Sequence, residues 1–179
     1  YMTLSHTLIR TFAGENPRRP ELVLQAVNQR ILADTPAYLF VTVFYGVLDP
    51  ETGIFEYCNA GHNPPYYLDS QKGNHAQALT RTGLPLGIFE NEIWESGSVQ
   101  LAIGDALILY TDGIVEAQDQ QEVFYGNERL LECVQSNLGI SAQQLQVSII
   151  TDVNNFSAGV PQGDDITLVI LVRTPDSGP

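Results

Sequence analysis

Lysine occurs once, at Lys72, and eight basic residues face 21 acidic ones, for a formal net charge of −13. Beyond Arg30 the only cations are Lys72, Arg81, Arg129 and Arg173. A surface this poor in positive charge repels phosphate backbones and anionic lipid, which argues against nucleic acid and membrane surfaces as partners. It is compatible with cation binding but does not demonstrate it. No apolar run reaches the roughly 18 residues of a membrane-crossing helix, and no charged, apolar, small-residue leader opens the chain. Cysteine is scarce. Cys58 and Cys133 lie in apolar surroundings without a C-x-x-C spacing, so they read as small buried hydrophobes in a reducing, cytoplasmic setting. There is no GxSxG, Walker loop, HExxH or zinc spacing, and His6, His62 and His75 are too scattered to suggest a metal cage.

The composition that remains is globular. Of the 179 residues 44% are hydrophobic and 16% charged, enough for one domain with a real core and too few for two ordinary ones. We expect that domain over 1–173, with a tail at 174–179. The chain opens at Tyr1 and not at a methionine, which is compatible with a piece of a longer protein.

Leu4, Leu8 and Phe12, widened by Ile9, predict a helix over 2–13, broken at Gly14. Pro20 and Glu21 open a second, with Val23, Val27 and Ile31 on its apolar face. From Leu39 to Leu48 the chain is almost wholly apolar or β-branched, which predicts a strand covered on both faces. Asp49–Gly53 has turn chemistry, and Ile54–Asn59 completes a hairpin. Tyr66–Leu68 reads as a short strand, 70–75 as a loop, 82–87 as irregular, Ile93–Leu101 as an edge strand, and Ala106–Tyr110 as a buried strand. Residues 128–138 read as a helix with Leu130, Leu131 and Val134 inward. Ser141 and Gln144 form a capping box before the stripe Leu145, Ile149, Val153 and Phe156, closed by Gly159. Ile166–Val172 is the last strand. Segregated helices and antiparallel strands argue for an α+β fold.

Two acidic positions stand out. Asp112 follows a buried strand and precedes Gly113. Asp164 and Asp165 precede the final strand. Carboxylates at strand tips can hold hard divalent cations such as Mg²⁺ or Mn²⁺, and a pair of such ions can activate water and clamp a phosphoryl group. The same Asp-Gly and Gly-Asp-Asp sequences are also ordinary turn chemistry. Because side chains alternate along a strand, Asp164 and Asp165 are not expected to point at one site together. His62, in the turn Ala60–Pro65, is a candidate proton donor or a turn residue. Glu116 supports Asp112 or starts a solvated helix. Asp105 reads as a turn residue entering a strand, Trp94 as a partly buried packing aromatic, and Arg81 as a phosphate binder or a surface cation.

The segments Phe40–Asp49 (FVTVFYGVLD) and Asn59–Pro65 (NAGHNPP) resemble the bacterial PPM-type, type 2C-like serine/threonine phosphatases of the SpoIIE and RsbU group. Four more blocks agree in order: Gly83–Gly87, Gly104-Asp105 leading to Leu109–Ala117 (LYTDGIVEA), Gly126–Leu131, and Asp164–Thr167. The resemblance covers nearly the whole chain. It implies an antiparallel β-sandwich flanked by helices with a two-ion Mn²⁺ or Mg²⁺ site at one edge. Carried over by position, Asp112 and Asp164 are catalytic metal-binding aspartates, Asp165 is an alternative ligand, and Gly113 is the family's Asp-Gly turn. The implied reaction is direct attack of a metal-bridged water on phosphoserine or phosphothreonine, without a phosphoenzyme. The implied partners are a regulatory protein of the anti-sigma-antagonist type and an upstream sensor or receiver module, coupled through Tyr1–Ala13.

The departure lies at the N-terminus. An early Gly-Asp strand motif and an Asp-Val-x-x-x-Gly segment, which supply the family's other key ligands, are absent. The resemblance therefore implies an N-terminally incomplete domain without its first strands, with weak metal binding and little activity. An exposed sheet edge would favour rearrangement or homodimers. The competing readings are a catalytically incomplete partner-binding or dimerisation module and an acidic scaffold without metal chemistry.

Overall fold

The computed structural model describes residues 2–34, 39–73 and 75–175. They fall into two compact units, Tyr1–Pro64 with Leu79–Gln100, and Pro65–Ala78 with Leu101–Pro179.

In the first unit, helices α1 (Met2–Glu15) and α2 (Pro20–Asp34) pack against each other. Pro20 at the start of α2 loses no helical hydrogen bond, since the first N–H groups have no partner in the helix. Val23, Leu24, Val27, Asn28 and Ile31 form its buried face and pack with Val41, Cys58, Ala60, Leu86 and Trp94. Asn28 is polar but satisfied. Its Oδ1 accepts from Gly87 N–H at 2.8 Å and its amide donates to Phe89 O at 2.8 Å. The antiparallel sheet runs β1 (Val43–Leu48), β2 (Ile54–Ala60), β5 (Gly97–Gln100) in spatial order β1-β2-β5.

Three readings of this unit change. The strand expected from Leu39 to be covered on both faces starts at Val43, and its residues are half-buried or exposed. Its β-branched composition reflected strand propensity, but among the described strands β1 is paired on one side only. The strand expected from Ile93 begins at Gly97. Trp94, expected to be partly buried, is only 3% exposed and its indole N–H donates to Leu84 O at 2.9 Å. Burying that large ring takes the segment before Gly97 out of the ladder. Cys58 is buried as expected, and burial pushes its thiol up to about 12. Arg81 is exposed.

The second unit holds β3 (Tyr66–Asp69), β4 (His75–Ala78), β6 (Ala106–Tyr110) and β7 (Leu168–Val172) in antiparallel order β4-β3-β6-β7. Helices α3 (Asp112–Val115), α4 (Gly126–Ser136) and α5 (Ala142–Ser157) complete it. α5 packs on β7 and on α4, burying Leu145, Ile149 and Val153 with Leu130, Val134, Ile108 and Tyr110. The capping box is formed. Gln144 N–H donates to Ser141 Oγ at 3.2 Å, and Ser141 N–H donates to Gln144 Oε1 at 3.1 Å. β4 and a 3-10 turn (Ser70–Lys72) occupy the stretch around the expected loop. His-Ala-Gln-Ala carries little strand propensity, and β4 forms because β3 pairs with it across four residues. α4 starts two residues before the expected 128. Of the expected tail, Thr174 and Pro175 are exposed, and the remainder lies outside the described residues, as does Tyr1 of the proposed coupling helix.

No helix of the described residues is long and apolar enough to cross a membrane. The α+β class with antiparallel sheets is present.

Candidate functional site

The site begins with strand direction. β6 ends at Tyr110, which pairs with Leu168 at the start of antiparallel β7. The segment leaving β6 and the segment entering β7 therefore share one rim of the sheet. Asp112 sits in the first and Asp164 and Asp165 in the second, and all three are exposed.

Thr111 joins the two segments. Its N–H donates to Thr167 O at 3.0 Å, its Oγ1 donates to Asp165 O at 3.0 Å, and Thr167 N–H donates to Oγ1 at 2.9 Å. A threonine before a helix usually turns its hydroxyl to the first N–H groups. Here the hydroxyl spans the rim and caps nothing in α3. Gly113 makes the approach sterically feasible. A Cβ at this position would stand 2.5 Å from Asp165 O and 3.1 Å from Asp164 O, so a side chain there would drive the two loops apart.

The carboxylates are anchored locally. Asp112 Oδ1 accepts from Gly113 N–H at 3.1 Å, and Asp164 Oδ1 accepts from Asp165 N–H at 2.7 Å. Asp164 and Asp165 lie in the non-strand segment before Leu168. The expectation that strand alternation keeps them apart does not apply to them, because a loop has no period of two.

The donor chemistry suits a hard divalent cation. These are exposed carboxylate oxygens, and on Asp112 and Asp164 one oxygen each is held by a neighbouring N–H. The number of donors is the limit. Among the described residues no group of three or more His, Cys, Asp or Glu side chains could hold a metal ion. Asp112 with either Asp164 or Asp165 can therefore contribute at most part of an oxygen shell, the rest coming from water, substrate or other groups.

Glu116 is exposed, and its N–H donates to Asp112 O at 2.8 Å. It lines a cavity of about 340 Å³ together with Gly113, Ala117, Gln118, Phe124, Pro161, Gly163 and Asp164. His62 lies in the first unit. Its N–H donates to Asn59 Oδ1 at 2.9 Å, and its ring Nδ1 is 3.0 Å from Asn63 O, which fits a donor proton on Nδ1 and a turn role.

Sequence reading missed two residues here. Thr111 was hidden because its partners lie more than 50 residues away. Asp105, read as a turn residue, is fully buried at the opposite end of β6. Its Oδ2 accepts from Tyr67 O–H and Ala102 N–H, both at 2.7 Å, and its Oδ1 accepts from Ser70 N–H and Ser70 Oγ–H, both at 2.8 Å. Burial alone would raise this carboxyl, but the hydrogen bonds from Tyr67, Ser70 and Ala102 hold it below the ordinary aspartate value. The signal available in sequence was Gly104-Asp105 at the mouth of a wholly apolar strand.

The chain is 33% identical over 135 residues to protein IcfG of Synechocystis, covering 75% of this chain and 21% of that protein. It is 29% identical over 154 residues to phosphoserine phosphatase RsbU of Bacillus subtilis, covering 86% of this chain and 45% of that protein. The chain thus spans less than half the length of either relative. The SiaA-PP2C domain of Pseudomonas aeruginosa superimposes with a TM-score of 0.82 at 17% identity, over 95% of this chain and 68% of that one. A manganese-presoaked structure of the SpoIIE phosphatase domain of Bacillus subtilis gives a TM-score of 0.64 at 17% identity, over 99% of this chain and 73% of that one. These likenesses show the fold of PPM phosphatases. The family described as stage II sporulation protein E (SpoIIE) matches residues 1–174, nearly the whole chain, and the chain belongs to that family.

Proposed function

We propose that this domain hydrolyses phosphoserine or phosphothreonine on a regulatory protein, using Mn²⁺ or Mg²⁺ held in part by Asp112, Asp164 and Asp165. The observation that carries the reading is that the loops bearing these exposed aspartates share one sheet rim, fastened by Thr111 and permitted by Gly113. The name of RsbU supports phosphoserine as the substrate class, and the manganese-presoaked SpoIIE domain supports a divalent ion.

When bound, a divalent ion supplies an acidified water and positive charge for the phosphoryl oxygens. The chain's own residues perform the positioning. Thr111 keeps the Asp165 backbone against the Asp112 loop. The Gly113 and Asp165 N–H groups each fix one carboxylate oxygen, so Asp112 and Asp164 do not lose that freedom when a cation arrives. The acidic balance matters too. A chain with net charge −13 repels a phosphate dianion, and cations at the rim reverse that sign locally.

By the same resemblance, the physiological partners we propose are a phosphorylated protein of the anti-sigma-antagonist type and an upstream sensor or receiver module, with homodimers as one assembly. A second reading, a partner-docking or dimerisation module without catalysis, draws on the small number of carboxylates gathered among the described residues. The test is hydrolysis of p-nitrophenyl phosphate by the full-length protein. Hydrolysis that requires Mn²⁺ and ends on chelation is the expected result. No hydrolysis with Mn²⁺ or Mg²⁺ favours the docking module.

A further inference from the structure

The cavity beside the aspartates has a lining that ion binding does not explain. Asp164, Gly113 and Glu116 form one part of it, and Phe124 and Pro161 form another. At about 340 Å³ it holds one or two amino-acid side chains and is too large for a phosphoryl group alone. Phe124 is 53% exposed and its neighbour Val123 is 50% exposed. Two adjacent large apolar side chains facing water would normally be removed by a collapsing loop, and this loop is held open. Asp119 Oδ1 accepts from Gln121 N–H at 2.8 Å and from Val123 N–H at 3.0 Å. Gln118 and Phe124 form a bridge, and Tyr125 N–H donates to Ala117 O at 2.8 Å. Tyr125 itself is buried, with its hydroxyl donating to Asp152. The loop thus presents Phe124 on a fixed support next to the aspartate rim.

The charged side chains that line the cavity are acidic, while Arg129, outside the lining, donates from Nη1 to Phe124 O at 3.4 Å. Glu116 and Asp164 line the cavity, and among the described residues no basic side chain does. A lining that joins Phe124 and Pro161 to Glu116 and Asp164 matches a segment that brings one apolar and one basic side chain.

We propose that this cavity seats the polypeptide flanking the phosphorylated residue, with an apolar side chain against Phe124 and Pro161 and an arginine or lysine facing Glu116. Phe124 and Glu116 are then specificity-determining residues. The inference rests on the hydrolase reading for the phosphate itself, and on the cavity for the flank.

The test titrates fluorescent phosphoserine peptides into the full-length protein with Mn²⁺, while phosphate release is followed in the same samples. The peptides carry Leu and Arg, Leu and Glu, or Gly and Glu beside the phosphoserine. The Leu/Arg peptide is expected to bind about tenfold more tightly than the Leu/Glu peptide, the order of one anchoring contact. Phe124→Ala is expected to weaken Leu/Arg binding by about tenfold, and Glu116→Lys to invert the preference between Arg and Glu. Gly163 lines the cavity and an added Cβ there meets nothing within 4 Å, and Gly163→Leu is expected to lower Leu/Arg affinity by competing for the same space. Equal affinities for the three peptides, or a Phe124→Ala affinity within about twofold of wild type, would overturn the proposal. A concentration-dependent dimer that Phe124→Ala dissolves would also overturn it, by assigning the groove to a second copy. Flank selectivity without phosphate release contradicts the hydrolase reading and leaves the groove standing. Phosphate release without flank selectivity contradicts the groove alone.

Discussion

Asp112→Asn is expected to lower Mn²⁺-dependent hydrolysis of p-nitrophenyl phosphate by the full-length protein at least roughly 100-fold in kcat. A bound cation contributes several kcal/mol to a phosphoryl-transfer transition state, and each 1.36 kcal/mol is about a tenfold change in rate. The substitution is close to isosteric. Asparagine keeps an oxygen for the Gly113 N–H, which Asp112 Oδ1 now accepts at 3.1 Å, so the start of α3 and the Thr111 bridge remain. The negative charge is what disappears. Asp112 is exposed, so its replacement leaves no buried donor unpaired and the melting temperature stays near that of wild type. Loss of kcat with unchanged melting assigns the effect to chemistry. A variant with wild-type kcat would take Asp112 out of the reaction.

Asp105→Asn produces the opposite pattern, a large loss of stability. The Asp105 carboxylate accepts four hydrogen bonds in a fully buried setting. An asparagine amide group must replace one of the two oxygens. Turned one way it faces Ala102 N–H, and turned the other way it faces Ser70 N–H, so one backbone donor meets another donor in either orientation. Removing one partner from a buried charged network costs about 3–5 kcal/mol, and a loss of about 3 kcal/mol is expected here. Denaturant unfolding measures it.

The pH dependence follows from the depressed carboxyl of Asp105. A group whose folded value lies below its unfolded value contributes stability above the unfolded value. That contribution is lost as pH falls through the folded value. The stability gap between wild type and Asp105→Asn is therefore full at neutral pH and narrows in acid, below the ordinary aspartate value of about 3.9. A gap that stays constant down to the acid transition would show that the carboxylate charge is not what holds β3 to the start of β6.

The parts of this site legible in sequence are those encoded by neighbours in the chain. Ala106–Tyr110 is apolar without interruption, so its burial, and the emergence of Asp112 at its tip, follow from composition. The Ser141 capping box and the Leu145, Ile149, Val153 stripe are likewise local patterns. What stayed hidden depends on distant partners. Thr111 reads as an ordinary helix-start residue until Asp165 and Thr167 are placed beside it. Asp105 reads as a turn residue until Tyr67 and Ser70 close around it. Asn28 gives no sign that it ties Gly87 and Phe89 to α2. β4 lacked the side chains that mark a strand and owes its form to pairing with β3. The extent of β1 and β5 was overestimated because apolar and β-branched residues mark both strands and the packed segments beside them.

The central claim is that Asp112 and Asp164, carried on loops that share one rim, bind a divalent cation together. The most direct measurement is calorimetric titration of Mn²⁺ into the full-length protein, compared with the double variant Asp112→Asn/Asp164→Asn. The account predicts saturable heat in the wild type that vanishes in the double variant while its fold is kept. Saturable heat of the same size and affinity in both proteins, or none in either, would contradict it.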